Sequence, residues 1–278
     1  MERYFLMIPK MYAFDLDGTL LDSNKKLSAQ NKRALHEMAS SGAEIVFASG
    51  RIGSSMIQFL QDLPIDVAML TLNGAAVYMD KRYNSRLVLD VPLSADFADV
   101  LIRYSTDKNF AVNYYLDGKL YAARYPQVFR WTELYIQQTG SHYNNVESLN
   151  QFLGNTPSKV IFIGDPEELD EQEKYFRSLW GDRVYICRTW DYYLEFLNIN
   201  VNKGKGLQAL AEAYGIRLDE VVAFGDAAND IPMLSMAGLG IALKNADHQV
   251  QKAARKVSSW TNDEDAIAKE WDLIKNGY

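Results

Sequence analysis

Two acidic residues one position apart, Asp15 and Asp17, follow a short apolar stretch with the composition of a buried strand. Carboxylates at the end of such a strand cost free energy unless a cation or a proton accompanies them. A glycine and a threonine complete the sequence DLDGT at residues 15–19. The pair therefore indicates a site that holds a cation or a proton.

Three later segments add further reactive groups, and most of these groups come just after an apolar strand. They are ASGR at residues 48–51, the lysine of VNKG at residues 201–204, and GDAAND at residues 225–230. With the first segment they supply four acids, a hydroxyl, a lysine and an amide. This set of groups suits magnesium-dependent phosphoryl transfer, because Mg²⁺ prefers oxygen ligands and the transferred group is anionic.

In this order, the four segments resemble the motifs of the haloacid dehalogenase (HAD) superfamily, and within it the Cof-type phosphatases with a class IIB cap. The resemblance covers nearly the whole chain, with the largest gap between the second and third segments. It implies an α/β fold, with a Rossmann-like parallel-sheet core and an inserted α+β cap domain. It also implies a phosphoric monoester hydrolase that uses Mg²⁺.

The resemblance assigns roles to the acidic residues. Asp15 would be the nucleophile that forms an aspartyl-phosphate, and Asp17 would act as general acid and then as general base. Asp15, Asp226 and the backbone carbonyl of Asp17 would bind Mg²⁺, while Asp230 would hold a bound water. Since Asp17 must carry a proton near neutral pH, neighbouring negative charge should raise its pKa.

The resemblance also implies a set of groups that hold the phosphoryl oxygens, through side chains or backbone N–H groups. The set consists of Leu16, Ser49, Gly50, Lys203 and Asn229. Three departures from the usual family pattern remove none of the groups that the chemistry needs. They are Ala227-Ala228 in place of glycine and an acid, Ser49 in place of threonine, and Lys244 in place of glycine.

Each segment has a simpler interpretation when taken alone. Asp17 followed by Gly18 could form a plain turn, Ser49 could be a turn hydroxyl, and Lys203 could be a solvated residue at a helix start. An EF-hand is excluded because its glycine belongs at the sixth loop position, whereas Gly18 is at the fourth position counted from Asp15. A P-loop is excluded because GxxxxGK[ST] is absent. None of the simple interpretations explains all four segments together.

Composition excludes several functional classes. The net charge of −7 and the pI near 5.1 disfavour a nucleic-acid partner. The longest apolar runs fall short of the ~20 residues that a membrane helix needs, and residues 1–10 lack a signal-peptide pattern. Cys187 is the only cysteine. We therefore expect a cytoplasmic protein with a small phosphomonoester substrate and no membrane partner, as a monomer or a weak homodimer.

Short apolar runs alternate with amphipathic segments at both ends of the chain, which is the pattern of a parallel α/β sheet. Between them, the sequence LDGK at residues 116–119 predicts a hairpin, and the surrounding strands and helices predict an α+β domain. We expect a discontinuous core at residues 1–82 and 189–278, with the cap at residues 83–188. Within the core, a helix is expected at residues 54–63 and another at 203–214.

The cap is expected to select the substrate, and it is rich in aromatic residues. Arg124 and Arg188 could bind a second anionic group, although exposure to solvent is the simpler expectation for both. Sugar phosphates, pyridoxal phosphate and flavin mononucleotide all remain open as substrate types. The runner-up function is a phosphotransferase or phosphomutase on the same scaffold. A silent binding module is a third class, which would be expected to lack Asp15, Asp17 or Lys203.

Overall fold

The computed structural model describes residues 9–61, 63–79, 86–124 and 129–277, except for the side chain of Thr189. The chain divides into two compact units. The core unit comprises Met1–Gly50, Met56–Leu89 and Asn202–Tyr278, and the inserted unit comprises Arg51–Ser55 and Asp90–Val201. Among the described residues, no helix is both long and apolar enough to cross a membrane.

The strands of the described residues are β1 (Met11–Asp15), β2 (Glu44–Ala48), β3 (Ala68–Thr71), β4 (Ala76–Tyr78), β5 (Leu87–Asp90), β6 (Ala111–Leu116), β7 (Lys119–Ala123), β8 (Tyr143–Val146), β9 (Lys159–Ile163), β10 (Val184–Trp190), β11 (Tyr193–Asn198), β12 (Val221–Gly225), β13 (Leu239–Ala242) and β14 (Lys256–Val257). The helices are α1 (Ala29–Ser40), α2 (Gly53–Met56), α3 (Ala95–Lys108), α4 (Phe129–Thr139), α5 (Pro166–Trp180), α6 (Lys203–Tyr214), α7 (Ile231–Met236), α8 (His248–Ala253) and α9 (Ala266–Lys275).

The core unit is built on a sheet with the strand order β14-β13-β12-β1-β2-β3-β4-β5. The pairs from β14 to β3 are parallel, and β4 joins β3 as an antiparallel strand. Its central strands β1 and β12 are buried at every position, as expected for a parallel sheet covered on both faces. The predicted α/β fold is thereby confirmed.

Alternate residues of β1 point into two separate hydrophobic clusters of the core unit. Tyr12 and Phe14 pack in the cluster that includes residues of α1 and α9, whereas Met11 and Ala13 pack in the one that includes residues of α6 and α7. This alternation follows from the two-residue period of a strand. The two helical layers fix the sheet, and with it the loops at the carboxyl ends of its strands.

The inserted unit has its own mixed sheet, with the strand order β10-β11-β9-β6-β7-β8. Most of its pairs are antiparallel, and β8 pairs with β7 in parallel. A third hydrophobic cluster, separate from the two of the core unit, lies within it. The inserted unit therefore has the α+β character expected from the sequence.

Several boundaries differ from those expected. The expected change at residue 188 falls inside β10, and β11 also belongs to the sheet of the inserted unit, so the core resumes at Asn202. The other expected change, at residues 82–83, lies outside the described residues, and the inserted unit resumes at Asp90. The helix expected at residues 54–63 is shorter than predicted and changes type. The helix α2 is followed directly by a 3-10 turn at Ile57–Leu60.

Candidate active site

Three adjacent strands of the core unit, in the order β2-β1-β12, carry most of the candidate groups at or beyond their carboxyl ends. The chain proceeds from β1 to β2 and β3 on one side, and from β12 to β13 on the other. The strand order thus reverses between β1 and β12. Ligand sites of open α/β sheets form beyond the strand ends at such a reversal. The topology therefore brings segments some two hundred residues apart to one place.

Lys203 lies between two carboxylates at the centre of this place. Its Nζ donates hydrogen bonds to Asp15 Oδ1 at 2.5 Å and to Asp230 Oδ1 at 2.6 Å. Lys203 is the first residue of α6, which is capped by the Asn202 side chain accepting from the Lys205 N–H. Its side chain is fully buried, so the simpler interpretation of Lys203, a solvated residue at a helix start, is excluded.

Asp226 and Asp230 follow β12, and the Asp230 side chain binds the backbone near Asp226. Asp230 Oδ2 accepts from the backbone N–H groups of Asp226 and Ala227, each at 3.0 Å. Thr19 Oγ1 donates to Asp226 Oδ1 at 2.6 Å and so ties the first segment to the last. One carboxylate oxygen from each of Asp15, Asp226 and Asp230 lies within 4.8 Å of the others.

A glycine permits this close approach. Gly18 has a φ of +88°, which favours glycine. A Cβ at Gly18 would lie 2.4 Å from Asp226 Oδ2, which is too close for any side chain. The glycine of the DxDGT sequence is therefore required both by the turn and by the neighbouring carboxylate.

The cluster holds three carboxylates and one ammonium group, and their burial is the main influence on their pKa values. Burial raises the pKa of Asp15 well above its usual range, and the charges of Asp230 and Asp226 raise it further, although Lys203 opposes the shift. Burial also raises the pKa of Asp226 to about 6. For Lys203, burial lowers the pKa, but the charges of Asp15 and Asp230 more than compensate and raise it.

This donor set fits a divalent cation. Magnesium binds hard oxygen ligands, and a bound cation would favour the charged forms of Asp15 and Asp226, which burial and the neighbouring carboxylates disfavour. Asp15 and Asp226 are the side chains that would hold the ion. Asp230 lies in the same cluster, but both of its oxygens already accept hydrogen bonds, from Lys203 and from two backbone N–H groups. That arrangement suits its expected place behind the direct ligands.

Asp17 lies apart from this carboxylate cluster. Its side chain is about one third exposed, and Asp17 Oδ1 forms an ion pair with Lys25 Nζ at 2.9 Å. Lys25 stands in a tight loop that is held by Asp22, whose side chain accepts from the backbone N–H groups of Asn24 and Lys26. The structure therefore places the ammonium group of an exposed lysine beside the residue expected to act as acid and base.

The expected phosphate-binding residues lie around the same strand ends. Leu16 and Gly50 directly follow Asp15 and Ser49 along the chain. Ser49 is buried, and its backbone N–H donates to the Leu70 carbonyl at 2.9 Å. Asn229 follows β12 in a 3-10 turn at Ala228–Asp230. All of these residues belong to the core unit.

Sequence reasoning did not identify three residues that hold this site together. Asn73 Oδ1 accepts from Asn229 Nδ2 at 2.9 Å, Asn245 Nδ2 donates to the Gly18 carbonyl at 2.8 Å, and Lys25 pairs with Asp17. Only Asn73 had a detectable signal, because the dipeptide Asn-Gly comes directly after an apolar strand. The other two depend on contacts that no local pattern indicates.

Comparison with known proteins agrees with this geometry. The sequence profile of the haloacid dehalogenase-like hydrolases matches residues 12–270. An HMP-PP phosphatase of Cronobacter sakazakii is 30% identical over 245 residues, which is 87% of this chain and 86% of the relative.

Solved structures show the same fold. A crystal structure of a Thermotoga maritima protein superposes with a TM-score of 0.86 at 29% identity and covers 96% of this chain and 97% of its own. A sugar phosphatase of HAD subclass IIB gives a TM-score of 0.78 at 22% identity, with coverages of 96% and 99%. The resemblance drawn from the four segments is confirmed, and the chain belongs to the haloacid dehalogenase-like hydrolase family.

Proposed function

We propose that this hydrolase is a Mg²⁺-dependent phosphatase of small phosphorylated metabolites, acting through an aspartyl-phosphate on Asp15. The observation that carries the proposal is the buried Lys203 ammonium between Asp15 and Asp230, with Asp226 in the same cluster. Burying a lysine and a carboxylate together costs desolvation free energy, which their mutual attraction does not always repay. If an anionic phosphoryl group binds there, the buried ammonium group of Lys203 can stabilise its negative charge.

The first half-reaction transfers the phosphoryl group to Asp15. Lys203 holds Asp15 Oδ1 by a hydrogen bond, so we assign the attack on phosphorus to Asp15 Oδ2. The bond between phosphorus and the leaving oxygen breaks as the new bond forms. Asp17 donates its proton to that oxygen, which departs as an alcohol.

The second half-reaction returns the enzyme to its starting state. Asp17, now a carboxylate, accepts a proton from a water whose oxygen attacks the phosphorus. The bond between phosphorus and Asp15 breaks, inorganic phosphate forms, and Asp17 is protonated again.

Positive charge and N–H groups stabilise the transferring group. The Lys203 ammonium would face the phosphoryl oxygens, together with Ser49, Asn229 and the backbone N–H groups of Leu16 and Gly50. A Mg²⁺ ion held by Asp15, Asp226 and the Asp17 carbonyl would offset the repulsion between the nucleophile and the anionic substrate.

For the substrate, we propose a phosphomonoester of the sugar phosphate, pyridoxal phosphate or flavin mononucleotide type. The HMP-PP phosphatase relative supports a small phosphorylated metabolite. The net charge of −7 and the single cysteine support a cytoplasmic enzyme with no nucleic-acid partner. We propose a monomer or a weak homodimer. Transfer of the phosphoryl group to an alcohol acceptor is the runner-up reaction, and product analysis with an acceptor sugar separates the two.

The proposal is tested with the purified protein, a generic aryl phosphate and a panel of metabolite phosphates. We expect hydrolysis with Mg²⁺ and almost none after exhaustive chelation. The variant Asp15→Asn should form no covalent phosphoenzyme, and Asp219→Asn, at an exposed position of the core unit, serves as a control. Full turnover by the chelated protein would show that the proposed cation dependence is wrong.

A further inference from the structure

A buried turn follows β3 and lies beside the candidate site. The turn spans Leu72–Gly74, and Asn73 at its centre has a φ of 60° and a ψ of 22°, in the left-handed region. Asparagine is one of the few residues that adopt this conformation at a modest cost. The Asn73 side chain is 95% buried, so its polar atoms need partners inside the protein.

The backbone of Asn73 is fixed to the end of β2. Its N–H donates to the Ser49 carbonyl at 2.9 Å, while the Ser49 N–H donates to the Leu70 carbonyl at the end of β3. The turn also packs against the start of α6, because a Cβ on Gly74 would lie 2.5 Å from the Asn202 carbonyl oxygen. One short turn thus contacts the segments that carry Ser49 and Lys203.

The side chain of Asn73 reaches a third segment of the site. Its Oδ1 accepts a hydrogen bond from Asn229 Nδ2 at 2.9 Å, across 156 positions of the chain. The same oxygen rests near Gly50, where a Cβ would lie 3.3 Å from it. Asn73 Oδ1 therefore lies between Gly50 and the Asn229 amide, on a turn whose backbone is fixed to Ser49.

This contact fixes the amide plane of Asn229. A primary amide has two N–H groups in one plane, so holding one of them sets the direction of the other. Without that contact, the Asn229 side chain would have to lose rotational freedom each time a ligand binds. We propose that Asn73 is a positioning residue, which orients the Asn229 amide toward the phosphoryl group. The inference rests on the proposed function, in which Asn229 binds that group.

The test uses a variant that removes the side chain and keeps the backbone. Glycine adopts a positive φ freely, so Asn73→Gly retains the turn and its N–H contact with Ser49. A matched control is Asn109→Gly, because Asn109 also has a left-handed backbone, with a φ of 53°, and ends α3 in the inserted unit. Both variants change asparagine to glycine at the same backbone conformation.

The measurements are kcat and KM with an aryl phosphate and the inhibition constant of inorganic phosphate, for Asn73→Gly, Asn229→Ala and the double variant. We expect Asn73→Gly to lower kcat/KM about tenfold, the loss that one hydrogen bond represents. Phosphate inhibition should weaken by a similar factor. The double variant should equal Asn229→Ala alone, and Asn109→Gly should match the wild type.

Other results overturn the inference. If the two losses multiply in the double variant, Asn73 acts independently of Asn229. If Asn73→Gly retains wild-type kcat/KM and phosphate inhibition, Asn73 has no positioning role. A wild-type protein that hydrolyses no phosphomonoester would instead contradict the proposed function. If Asn73→Gly fails to fold, Asn73→Ser takes its place in the same cycle, with the same expected result.

Discussion

Lys203 shows how far the environment of one residue can depart from its local sequence. A lysine at the first position of a helix is ordinarily solvated, yet this side chain is fully buried and contacts Asp15, which lies 188 positions earlier. No local pattern contains that information, because the partner belongs to another strand. Only the topology of the sheet brings the two residues together.

The burial of Lys203 leads to a prediction for Lys203→Met. Removing the ammonium leaves Asp15 and Asp230 buried without their partner, so the free energy of unfolding should fall by about 3–5 kcal/mol. Loss of the charge that faces the phosphoryl group should lower kcat by about 10²-fold or more. The exposed Lys205 on the same helix provides the control Lys205→Met, measured by urea unfolding and by turnover. Equal stability and activity of the two variants would contradict the assignment.

Asp17 is expected to protonate the leaving group, so replacing it should slow some substrates more than others. Asp17→Asn should keep the Asp15 nucleophile but remove the proton donor, which typically contributes ~10²–10⁴-fold. Alkyl phosphates, whose leaving oxygens need the proton, should lose more rate than aryl phosphates. Single-turnover rates on a matched pair of esters measure the difference. If both esters lost the same factor in rate while chemistry is rate-limiting, the assignment of Asp17 as general acid would be wrong.

Asp226 gives the site a dependence on pH. Its pKa is raised from 3.8 to about 6 in the folded protein, so the folded state binds a proton more tightly than the unfolded state does. Without a cation, this group therefore lowers the free energy of unfolding as pH rises from about 4 through about 6. A cation must displace the proton, so the rise in Tm caused by Mg²⁺ should be larger at about pH 7.5 than at about pH 5. Asp226→Asn should weaken that dependence, and an equal Mg²⁺ effect at both pH values would contradict it.

At the scale of elements, the strands that carry the motifs were the most predictable part. The strand β1 lies where the apolar stretch that leads to Asp15 and Asp17 predicts a strand, and α6 matches its prediction at residues 203–214. Apolar runs and caps are local signals, which is why these elements could be located. The strand β11 was missed, because its place depends on pairing with β9 and β10. The helix α3 was also missed, although Ser94 precedes an amphipathic repeat there.

The turn after β3 connects neighbouring elements, and Gly74 is its most constrained position. Its φ is +99°, and a Cβ would lie 2.5 Å from the Asn202 carbonyl oxygen at the start of α6. We expect Gly74→Ala to displace α6 or the turn, and so to lower both Tm and kcat. Gly42→Ala has a similar φ of +88° with no atom within 4 Å of the added carbon, so it measures backbone strain alone. If the two variants had the same activity, the contact with α6 would not matter to the site.

At the scale of the whole molecule, the chemistry and the insertion belong to different units. Asp15, Asp226, Asp230 and Lys203 all lie in the core unit, which has two hydrophobic clusters of its own. The inserted unit has a separate cluster and enters the chain between the second and third motifs. The sequence indicated this division from the change in pattern. It could not place the second boundary, because β11 is recognised as a strand of the inserted unit only from its pairing with β9 and β10.

This division predicts what happens when the inserted unit is replaced by a short linker between Leu89 and Asn202. The core unit keeps its hydrophobic clusters and its acidic groups, so slow hydrolysis of small aryl phosphates should remain. We propose that the inserted unit selects the leaving group, so its removal should flatten the preference among metabolite phosphates. Circular dichroism establishes that the shortened protein folds, and kcat/KM across a panel of sugar, pyridoxal and flavin phosphates measures its preference. A folded core that ranks these esters as the intact enzyme does would place specificity in the core unit instead.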